Sequence, residues 1–577
     1  MSLPYISIDN FRAFKEKCAF EFAPVTILTG TNSSGKSSLV DALRIMQSYA
    51  NEIPDPDSKK FWDKIINIKD DHFHNRIPNF KDMVNYHTGR DTISFEFKCR
   101  FVGMVEDVTL CLEFMQKNGT GINGILKSLQ YRNEDGVVFF SMEIRDDNVT
   151  HIEIDFGFLH RKFLEEIERE IKYYDNLLHN HVQNSLSEDS AEKENSKLIL
   201  NPFKFYGRFF NPSAEEIRDY EKRKENFKKV SQQVIKPLEI NENGKDELSE
   251  EDKKGWVEAK KELIEVQARL KESHEKLEQI ENEIFEKRFK EIDKEKLSVD
   301  EFLSDYFKQD YFFESLSAQD EFSAFGVLFL SKFVHYNICN SISELKKELN
   351  FNYISSIRNS PNRFYVKDKE TSFGTILSDF LEKNPQADEK VKKFLNKYLA
   401  YFDIGEQIKI ERNSDYGTYS ITVYKQGKKI NLLDLGFGIS QVMPILLQVL
   451  LTAFDGNTSS IIIEEPETNL HPALQSKLAD MVIDANKVFG IRFIIETHSE
   501  YLIRRLQGLV ANKKIDSKKI SMYYFNHPDK IPEGEPQVYQ INIEDDGALS
   551  KNFGKGFYDE AANLNIALYN YSKEQHN

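Results

Sequence analysis

The feature that most constrains this chain is Gly30–Ser37, which matches the phosphate-binding P-loop pattern G-x-x-x-x-G-K-[ST] at every fixed position. An apolar, β-branched run, Val25–Thr29, comes directly before it. In the segment after it, Ser38–Met46, the apolar residues share one helical face. A glycine-rich turn between a buried strand and a helix directs backbone N–H groups at the helix N-terminus, where the helix dipole favours phosphate. The sequence therefore predicts a nucleotide-binding strand–loop–helix unit.

Individual residues of this loop have separate predicted roles. Lys36 would reach the β- and γ-phosphates of ATP, and the hydroxyl of Ser37 would hold Mg²⁺. Gly30 and Gly35 let the chain turn without a clash of a Cβ atom. The residues predicted to contact the nucleotide here are Gly30, Asn32, Ser33, Ser34, Gly35, Lys36, Ser37 and Ser38.

Composition and charge narrow the classes of function. A chain of 577 residues has room for two to four domains, and its net charge of −17 argues against a wholly basic nucleic-acid coat. One local basic face would still suffice to bind DNA. The four cysteines lack C-x-x-C spacing, which favours a reducing cytoplasm and no zinc site. We expect no signal peptide, and no membrane span because no apolar run approaches about 18 residues.

The pattern along the chain predicts three segments. Residues 1–158 read as mostly β-strands after the P-loop helix, and residues 348–577 alternate strands with helices, with strands expected at Ile520–Phe525 and Gln537–Ile543 near the end. Between them, residues 159–347 carry apolar positions in steps of three and four with Glu and Lys between. That insertion is either a short coiled coil or an ordinary helical bundle. A P-loop and its partner motifs on either side of helical arms predict a split ATPase domain.

Two carboxylates follow a second predicted strand. Ile461–Ile463 is apolar and leads directly to Glu464 and Glu465. Open α/β sheets bind nucleotides at the carboxyl ends of their strands. We therefore expect Glu464 to belong to the Mg²⁺ shell and Glu465 to polarise the attacking water as general base. The alternative is a solvated acidic turn after a strand.

Two further segments end in polar or glycine-containing motifs. The apolar run Phe493–Ile495 is followed by His498, which we expect to contact the γ-phosphate and respond to hydrolysis. The loop Asn431–Gln441 contains Gly436 and Gly438 and opens a long apolar helix, whose N-terminus suits an anion. A plain tight turn would look the same in this loop, so both alternatives stay open.

The order of these motifs resembles the ABC-type ATPases of the SMC, RecF and overcoming-lysogenization-defect (OLD) group. In chain order the motifs are a P-loop, a helical insertion, a glycine-rich signature, Glu-Glu-Pro-Glu-x-x-Leu-His-Pro and Glu-Thr-His-Ser. Within that group the chain resembles a bacterial branch of stand-alone ATPases. The motifs of that branch are Phe80–Val84, Tyr353–Arg358 with Pro361 and Arg363, and Gly556–Glu560. The resemblance covers roughly residues 1–100 and 350–565.

The resemblance implies an α/β ABC-type P-loop ATPase head that binds ATP and Mg²⁺ at composite sites of a homodimer. The residues implied to act on the subunit's own ATP are Lys36, Ser37, Glu464, Glu465 and His498, and those implied to cap the partner's ATP are Gly436, Gly438 and Ser440. Asn469 and His471 sit where the group's D-loop crosses between subunits. Glu464 replaces the usual aspartate, and the signature differs from Leu-Ser-Gly-Gly-Gln. Arg358 and Arg363 suit either a phosphate or inter-subunit contact or structural pairing.

Three functions remain open. The first is an ATPase that acts as a sensor or regulator in anti-phage defence and controls a separate effector protein, since the chain resembles ATPases of the Septu and PARIS kinds. The second is a repair or recombination ATPase that clamps DNA, for which Lys222–Lys229 is the best basic cluster. The third is a nucleotide-gated scaffold with marginal turnover. We expect no nuclease in this chain, because Asp545 and Asp546 form the only candidate carboxylate pair after His498 and a solvated turn explains that pair better.

Overall fold

The computed structural model describes residues 5–154 and 337–569, apart from gaps at 55–66, 69–76, 78, 102–106, 117–123, 146–147, 357, 359–361, 368–372, 456–459, 532–533, 555–556 and 560–562. The strands are β1 (Tyr5–Asp9), β2 (Cys18–Glu21), β3 (Val25–Gly30), β4 (Asn67–Ile68), β5 (Thr92–Arg100), β6 (Asp107–Gln116), β7 (Gly124–Arg132), β8 (Val138–Arg145), β9 (Asn148–Ile154), β10 (Phe351–Ile354), β11 (Tyr365–Val366), β12 (Gln407–Asn413), β13 (Thr418–Lys425), β14 (Lys428–Asn431), β15 (Ser460–Glu464), β16 (Arg492–Glu496), β17 (Ile520–Phe525) and β18 (Val538–Ile541). The helices are α1 (Lys36–Glu52), α2 (Phe373–Lys383), α3 (Glu389–Tyr401), α4 (Phe437–Phe454), α5 (Pro472–Phe489) and α6 (Glu500–Ala511).

A six-stranded sheet carries the motifs. Its order is β10-β15-β16-β3-β17-β18, with all neighbours parallel except β17 and β18. Strands β3, β15 and β17 are buried along their whole length, which explains why their sequences are continuously apolar rather than alternating. Because β3 lies between β16 and β17, the N-terminal and C-terminal segments of the chain build one sheet.

The second sheet is antiparallel and follows the order β2-β1-β5-β6-β7-β8-β9, with β4 paired to β7. A helical stretch at 337–348 packs on it: the hydroxyl of Tyr131 donates to Ser341 Oγ at 2.9 Å, and Ile338 and Ile342 are buried. These contacts join residues 337–348 to the second sheet, although residues 337–347 fall in the segment that the sequence predicts as the insertion.

Aromatic rings join the two sheets near the P-loop. Phe20 of β2 stacks on Phe525 of β17 with ring centroids 5.9 Å apart and meets Tyr523 edge-on at 5.3 Å. The hydroxyl of Tyr523 also donates to the carbonyl of Glu21 at 2.9 Å. Such aromatic pairs add to the free energy of burial through their ring geometry. The last two strands are therefore an integral part of the head.

A third sheet, β11-β13-β12 with β14 paired to β13, lies with α2, α3 and α4 in the main hydrophobic core. By length and composition α4 is the one helix among the described residues that could cross a membrane, and 67% of it is buried inside the protein. Length and composition alone do not place α4 in a membrane, so the absence of a membrane span stays a prediction. The apolar character of α4 is explained by its contacts with α2 and α3 in the core.

The α/β fold class is confirmed for the described residues. The predicted strands at Ile461–Ile463, Phe493–Ile495 and Ile520–Phe525 are present, the last with the same bounds. Residues 159–336 of the predicted insertion lie outside the described residues, and so do the basic cluster Lys222–Lys229 and the predicted boundary at 158/159. The predicted boundary at 347/348 falls within the helical stretch at 337–348 and stays a prediction.

Candidate nucleotide site

The P-loop connects β3 to α1 and is held open by backbone conformations that suit glycine. Gly30 has φ 142°, and a Cβ atom there would lie 2.3 Å from the carbonyl oxygen of Phe525 in β17. Gly35 has φ 108° and begins α1, and Ser33 has φ 57°. Asn32 and Ser33 are exposed, whereas Ser34 and Ser38 are buried. The loop therefore presents its tip to solvent while its base is fixed against β17.

The side chain of Lys36 is folded back into the loop. Its Nζ donates to the carbonyl of Thr31 at 2.6 Å and to that of Gly30 at 3.3 Å, and only 3% of the residue is exposed. Burial lowers the pKa of the Lys36 ammonium, and the carboxylates of Glu496, Glu465 and Glu467 oppose that shift. The ammonium occupies a loop that otherwise offers its N–H groups to phosphate, so it is positioned to pair with a bound anion.

The hydroxyl of Ser37 donates to both carboxylate oxygens of Glu496, at 3.0 and 3.1 Å. Glu496 ends β16 and is paired in register with Glu464, which ends β15, so the two buried carboxyl groups are neighbours. Burial, together with the neighbouring charge of Glu464, raises the pKa of Glu496 to about 7. The Ser37 hydroxyl, which is predicted to hold Mg²⁺ together with Glu464, thus donates to Glu496 in this structure, a partner that the sequence did not indicate.

These oxygen atoms fit a magnesium ion. Mg²⁺ is usually held by one or two carboxylates together with substrate phosphates, rather than by a complete protein cage. Among the described residues no group of three or more His, Cys, Asp or Glu side chains is arranged to hold a metal by itself. Ser37, Glu464 and Glu496 would therefore supply part of a shell that phosphate oxygens would complete.

Glu465 has an unusual backbone conformation for a side chain of its size. Its φ is 41°, in the left-handed region, and its N–H donates to the carbonyl of Glu496 at 2.7 Å. Thr468 Oγ1 donates to its carboxylate at 3.1 Å. Strained residues of this kind persist where surrounding contacts over-determine them, which is common at functional sites.

Glu467 organises the end of β16, a role that sequence analysis did not assign. Its carboxylate accepts hydrogen bonds from Thr497 Oγ1 at 2.8 Å and from the N–H of His498 at 2.6 Å. Burial raises the pKa of Glu467. Burial lowers the pKa of His498, and the nearby charge of Lys36 acts in the same direction, so the imidazole favours its neutral form. The Phe557 ring centroid lies 6.4 Å from that of His498.

The predicted signature lies at the start of α4, on the surface of the subunit. Gly436 and Phe437 are exposed and Gly438 is partly exposed, so the first backbone N–H groups of the helix are accessible. Ser440 is buried, and its hydroxyl donates to the carbonyls of Gly436 and Leu432 at 3.3 and 3.4 Å. A hydroxyl bonded in this way faces its own chain, so a phosphate contact by Ser440 stays a prediction.

Two other predicted residues have structural contacts. Asn469 has φ 64°, and His471 Nδ1 accepts the N–H of Ala473 at 3.3 Å, which caps α5. In the loop after β18, Asp545 accepts from Ser517 Oγ at 2.7 Å and Asp546 from the N–H of Ala548 at 2.8 Å. Asp545 and Asp546 therefore take part in loop hydrogen bonds.

The motif at Phe80–Val84 supports the loop that precedes β2. Arg12 donates its N–H to the carbonyl of Met83 at 2.7 Å, and its guanidinium pairs with Asp41 of α1, which is fully buried. Gln537, just before β18, donates to the carbonyls of Ala13 at 2.9 Å and Ser34 at 3.4 Å. The loop at residues 10–14 is thereby tied to the P-loop from two directions.

The motif that begins at Tyr353 contains two arginines, of which Arg358 lies inside the site and Arg363 outside it. Arg358 Nη2 donates to the carbonyl of Glu465 at 2.5 Å, and its Nε donates to Gln441 Oε1 at 3.2 Å. Arg363 is exposed and pairs with Asp434 at 3.3 Å. Sequence analysis found both residues but gave neither a partner, because the contacts join segments that are far apart in sequence.

Two protein families match parts of this sequence. Residues 1–503 match the model of a family described as AAA ATPase domain, and residues 515–567 match a family described as a protein of unknown function, DUF3696. No curated protein sequence matches the chain.

Solved structures with similarity to the chain include heads of Smc proteins. The Smc head domain with an extended coiled coil bound to the C-terminal domain of ScpA, from Pyrococcus furiosus, is 11% identical with a TM-score of 0.32, over 93% of this chain and 96% of that one. The Smc head domain with a coiled coil and joint from Pyrococcus yayanosii is 12% identical with a TM-score of 0.32, over 94% and 96%. The SMC head domain from Thermotoga maritima is 10% identical with a TM-score of 0.31, over 94% and 100%.

Proposed function

The chain belongs to the AAA ATPase domain family and is therefore a nucleotide-binding ATPase, and from this premise we propose that it is a nucleotide-driven switch. In this proposal Mg-ATP joins two copies head to tail as an ABC-type homodimer, and hydrolysis releases them. The observation that supports it best is the convergence of Lys36, Ser37, Glu464, Glu496 and His498. They lie where the P-loop meets the carboxyl ends of two parallel strands.

Each residue has a defined part in the proposed reaction. The P-loop N–H groups and Lys36 bind the phosphates, and Ser37 with Glu464 holds Mg²⁺, which would stabilise the charge that develops on the phosphoryl oxygens. Glu465 orients the attacking water and accepts its proton. Neutral His498 donates a hydrogen bond to the γ-phosphate, and its contact with Glu467 would carry the change on hydrolysis to the rest of the strand end.

We further propose that the cytoplasmic switch serves as a sensor or regulator in bacterial anti-phage defence and acts on a separate effector protein. The support is the resemblance of the motifs at Phe80–Val84, Tyr353–Arg358 and Gly556–Glu560 to those of stand-alone defence ATPases. Clamping of DNA in repair or recombination is the competing role. A scaffold that needs ATP but little turnover is the third.

The first experiment measures the solution mass of Glu465→Gln protein by light scattering, with and without Mg-ATP. We expect the mass to double with nucleotide, because the variant binds ATP but hydrolyses it at least about 10²-fold more slowly than the wild-type protein. Lys36→Ala protein should stay monomeric under both conditions. A mass of Glu465→Gln protein that ignores nucleotide would contradict the sandwich.

The second experiment separates the biological roles. A host that carries the gene with its chromosomal neighbours is challenged with phage, beside a host in which only Lys36→Ala is introduced. Protection that is lost with Lys36→Ala supports the defence role. Equal plaque counts, together with DNA binding whose affinity falls steeply with salt, would replace it with the DNA-clamp role.

A further inference from the structure

Arg358 connects two parts of the site that act on different nucleotides in the proposed dimer. It donates to the carbonyl of Glu465, the base for the subunit's own ATP, and to the side chain of Gln441 in α4. The N-terminus of α4 is predicted to cap the partner's ATP. We propose that Arg358 is a positioning residue that couples the two composite ATP sites. This inference rests on the proposed function.

The backbone of Glu465 is fixed from both sides. Its N–H is bonded to the carbonyl of Glu496 in β16, and its own carbonyl accepts the hydrogen bond from Arg358. A left-handed φ at a glutamate is sparsely populated and is kept only by such contacts. A small displacement of Arg358 therefore changes the direction in which the carboxylate of Glu465 points.

The chemistry of arginine suits this junction better than that of lysine. The guanidinium has five donors in a rigid plane, so two of its nitrogens bind groups on different elements at the same time. It is buried near the carboxylates of Glu467 and Glu465, which compensate its charge. Burial lowers the pKa of Arg358 to about 10, so the group stays charged at neutral pH.

The contacts of Arg358 with Glu465 and Gln441 also leave room for a second arrangement of hydrogen bonds. Arg358 Nη1 and Gln441 Nε2 are both buried, and neither has a hydrogen-bond partner in the described part of the chain. Unsatisfied buried donors raise the energy of this arrangement. A shift of α4 that brought an acceptor to either nitrogen would thus be favoured, and Arg358 would carry that shift to Glu465. This is the two-state element that coupling between sites requires.

The test compares Arg358→Met, Gln441→Met and the double variant with the full-length wild-type protein. Affinity for a fluorescent ATP analogue reports on the P-loop, and steady-state hydrolysis reports on the base. We expect each single variant to lower kcat by about tenfold while the dissociation constant changes by less than about twofold. Since both substitutions break the same connection, the double variant should be no slower than the slower single variant.

Two controls distinguish coupling from a general structural defect. Arg412→Met removes an exposed arginine of β12 and should leave kcat unchanged. Arg358→Lys keeps the charge but loses the planar fork, so it should not restore kcat. In the wild-type protein hydrolysis should rise sigmoidally with ATP concentration, and in Gln441→Met it should become hyperbolic, because the two sites no longer communicate.

Three results would overturn the proposal. They are full kcat in Arg358→Met, kcat losses that multiply in the double variant, and sigmoidal ATP dependence that survives in Gln441→Met. Turnover of Glu465→Gln, measured in parallel, distinguishes a failure of the coupling proposal from a failure of the proposed function. If that variant loses turnover while Arg358→Met keeps it, only the coupling is wrong. If Glu465→Gln keeps full turnover, the assigned base and hence the proposed mechanism is wrong.

Discussion

At the scale of single residues, the hydrogen bond between Ser37 and Glu496 changes the expected composition of the magnesium site. The serine hydroxyl that would bind the metal is held by a carboxylate at the end of β16. Glu464 ends the neighbouring strand β15, so the carboxylates of Glu464 and Glu496 lie side by side next to the P-loop. Removal of either carboxylate would take an anionic oxygen from the shell of a hard cation that prefers oxygen ligands.

The first prediction concerns Glu496→Gln. We expect this nearly isosteric variant to need a higher Mg²⁺ concentration, by about tenfold, for half-maximal binding of a fluorescent ATP analogue, because one negative charge is lost beside the metal. Binding in the absence of Mg²⁺ should not weaken. Glu500→Gln, four residues further along the chain in the first turn of α6, is the matched control and should keep the wild-type Mg²⁺ requirement. An unchanged requirement in Glu496→Gln would exclude this carboxylate from the metal shell.

Residue-level prediction succeeded where a motif fixes both residue type and backbone. The P-loop pattern specifies the loop and the helix together, so it correctly places Lys36 at the start of α1, while its contact with phosphate stays a prediction. The contact of Glu496 with Ser37 depends on β16 lying beside β3, and no local sequence pattern specifies this pairing because the two residues are 459 positions apart in the chain. The same reason hid the partners of Arg358. For Ser440 the structure shows a buried hydroxyl that donates to carbonyls of its own chain, which the motif does not specify, and its contact with phosphate stays a prediction.

At the scale of elements, β17 supports the P-loop directly. It is paired in parallel with β3 along its whole length, and the carbonyl of its last residue, Phe525, lies against Gly30. The two families matched at 1–503 and 515–567 therefore contribute to a single sheet. The sequence predicted a strand at Ile520–Phe525, but which strand it pairs with follows from the three-dimensional arrangement alone.

The second prediction tests this contact with Gly30→Ala. A methyl group would lie 2.3 Å from the Phe525 carbonyl and at φ 142°, so either β17 must move or the loop must distort. We expect the free energy of unfolding to fall by about 3 kcal/mol or more. Gly508→Ala is the control: the glycine lies in α6 with open space around it, and alanine should stabilise by about 0.5–1 kcal/mol. Chemical denaturation of both variants measures the difference, and equal stabilities would show that β17 does not restrain the loop.

At the scale of the whole molecule, the proposed dimer divides each catalytic centre between two copies. The P-loop and strand-end carboxylates of one subunit would meet the N-terminus of α4 from the other, where Gly436 and Phe437 are exposed. Two inactive variants whose substitutions damage opposite halves of the site should therefore recover activity when they are mixed, because each supplies the half that the other lacks. A monomeric ATPase, by contrast, gains nothing from mixing inactive chains.

The third prediction uses this property. Lys36→Ala destroys the P-loop of one subunit, and Gly438→Glu places a carboxylate at the start of α4, where it repels the partner's phosphates. Each variant alone should hydrolyse ATP negligibly. In an equimolar mixture only the mixed dimer can be joined by nucleotide, and it holds one intact site and one site with both defects. The mixture should therefore recover up to about half of the wild-type rate. Mixing Lys36→Ala with Glu465→Gln is the control: both defects lie on the same side of the site, so the intact halves never meet and no activity should return. Recovery in that control, or none in the first mixture, would contradict a site built from the P-loop of one subunit and α4 of the other.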